Sequence, residues 1–205
     1  MLLHEIEPLL GMTRLYAKRE LPNFDDSKTK RQFDSLDTLL SAISELRTAT
    51  GPAKPIEIEL SMLIRGVRES EVHGHSVDIQ LAGPSPFTCI ADRGRLLVAI
   101  GNGLRNAIES TELIDSPDRR PIVVNWNTTD RDFWISIIDY GVGLKASLER
   151  IFEIGTSSKR GHFGMGLPTA RQAILSMEGD ITISPREERG VKFEIRWPRP
   201  ATTPQ

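Results

Sequence analysis

The chain has 205 residues, 39% of them hydrophobic and 26% charged, the composition of one or two ordinary folded domains. A formal net charge of −2 argues against nucleic acid or an anionic membrane as a bulk partner. With one cysteine, Cys89, a disulfide framework is excluded and a reducing cytoplasm fits.

No apolar run reaches membrane-spanning length, and the start Met-Leu-Leu-His-Glu-Ile-Glu lacks the basic opening of a signal peptide. Residues 1–50 are predicted as two helices. Leu3, Ile6, Leu10, Thr13 and Ala17 step by three and four, and Phe33, Leu36, Leu40, Ile43 and Arg47 repeat the stepping. Such seams joined by a breaker-rich turn, residues 21–28, make an antiparallel hairpin. A lone hairpin buries little, so a second copy is expected to complete a four-helix bundle, making a homodimer.

Residues 51–57, with Gly51, Pro52 and Pro55, read as a linker, and residues 58–198 as a second domain. A helix is predicted over 58–71, a strand over 77–81, and Cys89 falls at a buried strand end. A helix over 95–110 carries the stripe Leu96, Ile100, Leu104, Ile108. Strands follow at 122–127 and 133–138. Residues 148–152 read as a short turn and 153–163 as a polar loop or lid. A helix over 167–177 and a hairpin of 181–184 with 191–197 close the domain, leaving 199–205 as a disordered tail. The expected class is α+β: a helical hairpin, then a two-layer sandwich with helices on one face of a largely antiparallel sheet.

Four short blocks stand out between Leu96 and Leu167. In the first, Asn102 and Asn106 each lie two residues past a stripe position, about 200° around the helix, so both amides point away from the core. They are stacked at i and i+4. The second is Asp139-Tyr-Gly141-Val-Gly143, where an alternating strand ends in a carboxylate followed by glycines. The third is Phe152. In the fourth, Gly161, Gly164 and Gly166 lead into a helix whose bare N-terminal amides favour an anion. The spacing is neither a P-loop nor a Rossmann turn.

In this order the blocks resemble the N, G1, F and G2 boxes of sensor histidine kinases, within the wider GHKL ATPases. The resemblance implies a Bergerat-type ATP-binding fold with ATP and Mg²⁺ as ligands. It implies Asn106 as the metal ligand and Asn102 as a phosphate contact. Asp139 would accept the exocyclic amine of adenine, with Gly141 and Gly143 allowing close approach of the base. Phe152, Ser158, Lys159, Gly161, Gly164, Met165, Gly166 and Leu167 would complete the nucleotide site. Many kinases of this kind carry a basic residue three positions after the second asparagine. Here Glu109 stands there, so Arg105 or Lys159 would have to supply that charge.

Hydrolysing GHKL members place Glu at the first N-box position as the base that activates water. This chain has Asn102, which cannot take a proton, and that points to a histidine kinase. His4-Glu-Ile-Glu-Pro8-Leu resembles the H box. His4 would be the phosphoacceptor and Glu5 would hold its other ring N–H. Pro8 comes one position earlier than the family has it, and so stands where phosphatase-competent members carry Thr or Asn. Phosphatase activity by that route is therefore expected to be weak or absent. The expected partner is the aspartate of a response-regulator receiver domain. A non-catalytic phosphotransfer or scaffold protein and a GHKL ATPase remain the alternatives.

Overall fold

The computed structural model describes residues 2–144, 150–153 and 164–200. Helix α1 (Leu2–Glu20) and helix α2 (Lys28–Thr50) are joined through a short 3-10 turn at Phe24–Asp26. Ser27 starts α2 by accepting the Lys30 amide at 3.0 Å on its hydroxyl, the usual way of satisfying a first-turn donor. Phe24 of the turn packs on Phe33 of α2. Arg14 lies over the Phe33 ring and pairs with Asp34 and Asp37. A row of apolar side chains on this pair, including Ile6, Leu9, Met12, Tyr16, Leu36 and Ile43, stays exposed.

Strand β1 (Ile56–Glu59) leads directly into helix α3 (Leu60–Val72). The expected helix over 58–71 therefore begins two residues late, and the linker is shorter than expected. The break is made by Glu59, whose carboxylate accepts the amides of Ser61 at 3.2 Å and Met62 at 2.7 Å. It also accepts the Phe87 amide, the main reason its carboxyl is held below the ordinary range. Strand β2 (Ile79–Leu81) and strand β3 (Thr88–Ala91) precede helix α4 (Arg93–Glu112). Cys89 lies buried inside β3, where burial pushes its thiol up to about 12.

Strands β4 (Ile122–Thr128) and β5 (Asp132–Ile138), helix α5 (Gly166–Leu175), and strands β6 (Asp180–Pro185) and β7 (Val191–Pro198) complete the chain. The main sheet runs β2-β4-β5-β7-β6, all antiparallel except β2 beside β4, while β1 and β3 form a separate pair. Arg199, placed by the sequence in a disordered tail, donates its amide to the Arg131 carbonyl at 2.7 Å and extends the β5–β7 pairing.

The inner face of the sheet, from Ile122, Val124, Ile135, Ile137, Phe193 and Ile195, packs on Leu60, Ile64, Leu96, Ile100, Leu104, Ile108 and Ile174 of the helices. Each such side chain stabilises by about 1.5–3 kcal/mol on burial. A smaller cluster of Ala49, Val98 and Ala173 seats the end of α2 on α4 and α5. Arg95, fully buried, donates to the carbonyls of Ala49 (3.2 Å) and Gly51. These are end-of-helix acceptors that would otherwise lie orphaned. Asp92 caps α4 through the Gly94 and Arg95 amides and takes the Lys54 amide at 2.8 Å. The hairpin is thus fastened to the sandwich at one end of α2. Among the described residues no helix is long and apolar enough to cross a membrane.

Candidate functional site

A cavity of about 660 Å³ opens between α2, α4, the end of β5 and the start of α5. Asn102, Arg105, Asn106, Asp139, Gly143, Gly164, Met165, Gly166 and Leu167 all line it. Asn102 and Asp139, 37 positions apart in sequence, are thereby brought to one space. Gly141 and Phe152 stand behind the wall. A β-carbon on Gly141 would run into Ser110, and Phe152 packs on the core under the Arg171 guanidinium, 4.7 Å from its ring centre. Ser158, Lys159 and Gly161 lie outside the described residues. His4 and Glu5 fall in the first turns of α1.

Asn106 donates its amide nitrogen to the main-chain carbonyl of Asn102 at 2.9 Å. That bond fixes which way the amide faces and leaves Oδ1, a hard oxygen, with no protein donor among the described residues. No group of three or more His, Cys, Asp or Glu side chains is placed to hold a metal among them. A Mg²⁺ ion fits this donor set: it takes one or two protein oxygens and completes its shell with phosphate and water.

Asn102 is buried and its amide is already engaged. It donates to the Val98 carbonyl and to Glu45 of α2, both at 2.9 Å, while its Oδ1 faces Gly166 so closely that a β-carbon there would overlap it. Arg105 is likewise held, by Glu45 at 2.9 Å and Glu71 at 2.7 Å. Burial pushes the Glu71 carboxyl up against the pull of Arg105.

Asp139 is buried and continues the inward face of β5. Its Oδ1 accepts the Gly141 amide at 2.9 Å, and its own amide donates to the Val191 carbonyl at 3.0 Å. Burial raises its carboxyl above the usual aspartate range, opposed by the Gly141 amide and the Ser110 hydroxyl. Asp139 lines the cavity. Met165, the residue before helix α5, gives the helix no side-chain cap, and Gly143 and Gly164 take positive φ values of 78° and 64°. First-turn amides with no side-chain partner at a helix start favour an anion.

Several lining residues have no counterpart in the sequence motifs. Asp37, Thr38, Ser41 and Glu45 come from α2. Glu45 is two residues past the seam position Ile43. That places it opposite the seam, where no sequence pattern marks a second contact of α2.

Residues 91–201 match the family described as histidine kinase-, DNA gyrase B- and HSP90-like ATPase. The sensor protein TdiS of Thauera aromatica is 31% identical over 62% of this chain and 24% of its own length. A probable C4-dicarboxylate sensor kinase of Bacillus subtilis is 29% identical over 67% of this chain and 26% of its own. The chain thus spans about a quarter of these relatives. Among solved structures, full-length ShkA in complex with AMPPNP superposes with a TM-score of 0.74 at 23% identity, over 100% of this chain and 46% of that one. At that identity the likeness concerns the fold.

Proposed function

Because the chain belongs to the histidine kinase-, DNA gyrase B- and HSP90-like ATPases, we propose that it is the ATP-dependent catalytic core of a sensor histidine kinase. The observation that carries this reading is the convergence of the Asn106 carboxamide oxygen, the Asp139 carboxylate and the uncapped start of α5 on one cavity. Adenine lies at Asp139, which accepts its exocyclic N–H. Guanine presents no donor at that position. The phosphates run toward Asn106 and the first turn of α5. Asn106 would hold Mg²⁺ through its carboxamide oxygen, and the ion would offset the charge that develops on the phosphates.

Hydrolysis is not the outcome, because Asn102 stands where a water-activating base would be needed. The acceptor is His4. Its neutral imidazole nitrogen attacks the γ-phosphorus in line as the bond to the β,γ-bridging oxygen breaks, and ADP leaves. Glu5 holds the other ring N–H and offsets the positive charge on the ring. The phosphoryl group then passes to an aspartate of a response-regulator receiver domain.

The exposed apolar row on α1 and α2 supports a homodimer in which residues 1–50 of two copies form a four-helix bundle. Residues 58–198 act as the ATP-binding domain, in a reducing cytoplasm. Incubation with γ-labelled ATP tests the assignment. Acid-labile label on the protein, lost in His4→Ala, is expected. Steady release of phosphate with no label on the protein would contradict it.

A further inference from the structure

We propose that seating of α2 on the sandwich and occupation of the cavity by a magnesium nucleoside triphosphate oppose each other, with Glu45 as the contact between them. The inference rests on the ATP reading above and concerns how that site is regulated.

One face of α2 makes a wall of the cavity. From it Glu45 reaches in and takes one hydrogen bond from Asn102 and one from Arg105, both at 2.9 Å. The second arm of Arg105 goes to Glu71 at 2.7 Å. The two donors best placed to meet a phosphate chain are therefore both bound to carboxylates. A triphosphate entering beside Asn106 meets the Glu45 charge inside a cavity no wider than a screening length of about 8–10 Å. Like charges in a half-buried space repel more strongly than in water.

The means of relief is built into the same helix. One turn beyond Glu45, Ala49 sits in its small apolar cluster, and Arg95 grips the Ala49 and Gly51 carbonyls. That grip does not involve the cavity. It leaves the end of α2 fixed while the turn bearing Glu45 moves off Asn102 and Arg105 and releases both to phosphate. Cavity occupancy is in this way tied to the position of the helix pair that carries His4. Coupling of this kind is reciprocal: the factor by which seating of α2 weakens nucleotide uptake is the factor by which bound nucleotide weakens the seating.

The test uses the whole chain and Glu45→Gln, titrated calorimetrically with magnesium AMPPNP, a non-hydrolysable ATP analogue. Glu45→Gln is expected to bind about five-fold tighter or more, while adenosine, which lacks phosphates, competes equally well against both. In the unaltered chain, hydrogen exchange of α2 amides over residues 38–46 is expected to speed up when magnesium AMPPNP is added, with residues 49–51 unchanged. Equal or weaker affinity in Glu45→Gln, or α2 protection indifferent to nucleotide, overturns the inference and leaves the ATP reading standing. No uptake of nucleotide by either chain overturns both.

Discussion

Gly190 lies directly on the main chain of Asp139. A β-carbon at 190 would overlap the Asp139 carbonyl oxygen and stand 2.7 Å from its carbon and 2.8 Å from the Tyr140 α-carbon. Gly190 also has φ of 92°, a region that side chains disfavour. The β6–β7 turn thus braces the strand end that presents the Asp139 carboxylate. Gly190→Ala is expected to lower stability by about 2 kcal/mol or more and to displace Asp139. Thermal unfolding together with adenine-nucleotide titration checks this; unchanged affinity in the variant would show that the turn does not position Asp139.

The raised Asp139 carboxyl gives a pH dependence with a definite sign. Only the ionised group accepts the adenine N–H well, so affinity is expected to fall as pH drops, and to do so at a higher pH than an ordinary aspartate would give. Stability runs the other way. A carboxyl raised in the folded state contributes most below its unfolded value and loses that contribution as pH rises through the folded one. Asp139→Asn is therefore expected to raise the melting temperature at pH 7 while abolishing nucleotide binding. A variant that melts lower at pH 7 would mean that the charge is stabilised by its surroundings.

Asn106 is assigned the metal through its carboxamide oxygen. Asn106→Ala is expected to remove the magnesium dependence of nucleotide affinity, whereas Asn106→Asp, which keeps an oxygen in place, is expected to retain a dependence on the cation. Titrations with and without EDTA separate the two. Identical magnesium dependence in the original chain and in Asn106→Ala would place the ion elsewhere.

Arg95 carries a different expectation. It is buried and satisfies two carbonyls at the end of α2. Arg95→Met keeps much of the volume and loses both hydrogen bonds, at a cost of about 2–4 kcal/mol. For a chain of this size that is roughly 5–15 °C of melting temperature. Hydrogen exchange at residues 47–51 should rise with it. Stability within 0.5 kcal/mol or so of the original would show that α2 is not anchored there.

Much of the sandwich was legible because its pattern is local. The stripe Leu96, Ile100, Leu104, Ile108 and the alternation of Phe133, Ile135, Ile137 report one buried face each, and all are buried. The i, i+4 placement of Asn102 and Asn106 likewise follows from helix geometry alone. The start of α3 did not show, because its cap is Glu59, not one of the usual capping residues, and its caps depend on contact with Phe87 far along the chain. Glu45 was hidden for a similar reason. A carboxylate on the polar side of an amphipathic helix looks solvated until a second layer packs against it. Arg105 was read as a charge available to phosphate, whereas Glu45 and Glu71, 60 and 34 residues away, hold it. Side-chain pairing across such separations leaves no periodic trace.

The claim on which the rest depends is that Asn106 and Asp139 face one bound nucleotide. Calorimetric titration of the whole chain with magnesium AMPPNP measures it directly. One molecule bound per chain, with uptake lost in Asp139→Ala and lowered to its magnesium-free level in Asn106→Ala although both variants still unfold cooperatively, is the expected result. No heat of binding in the unaltered chain, or full affinity retained by either variant, would contradict it.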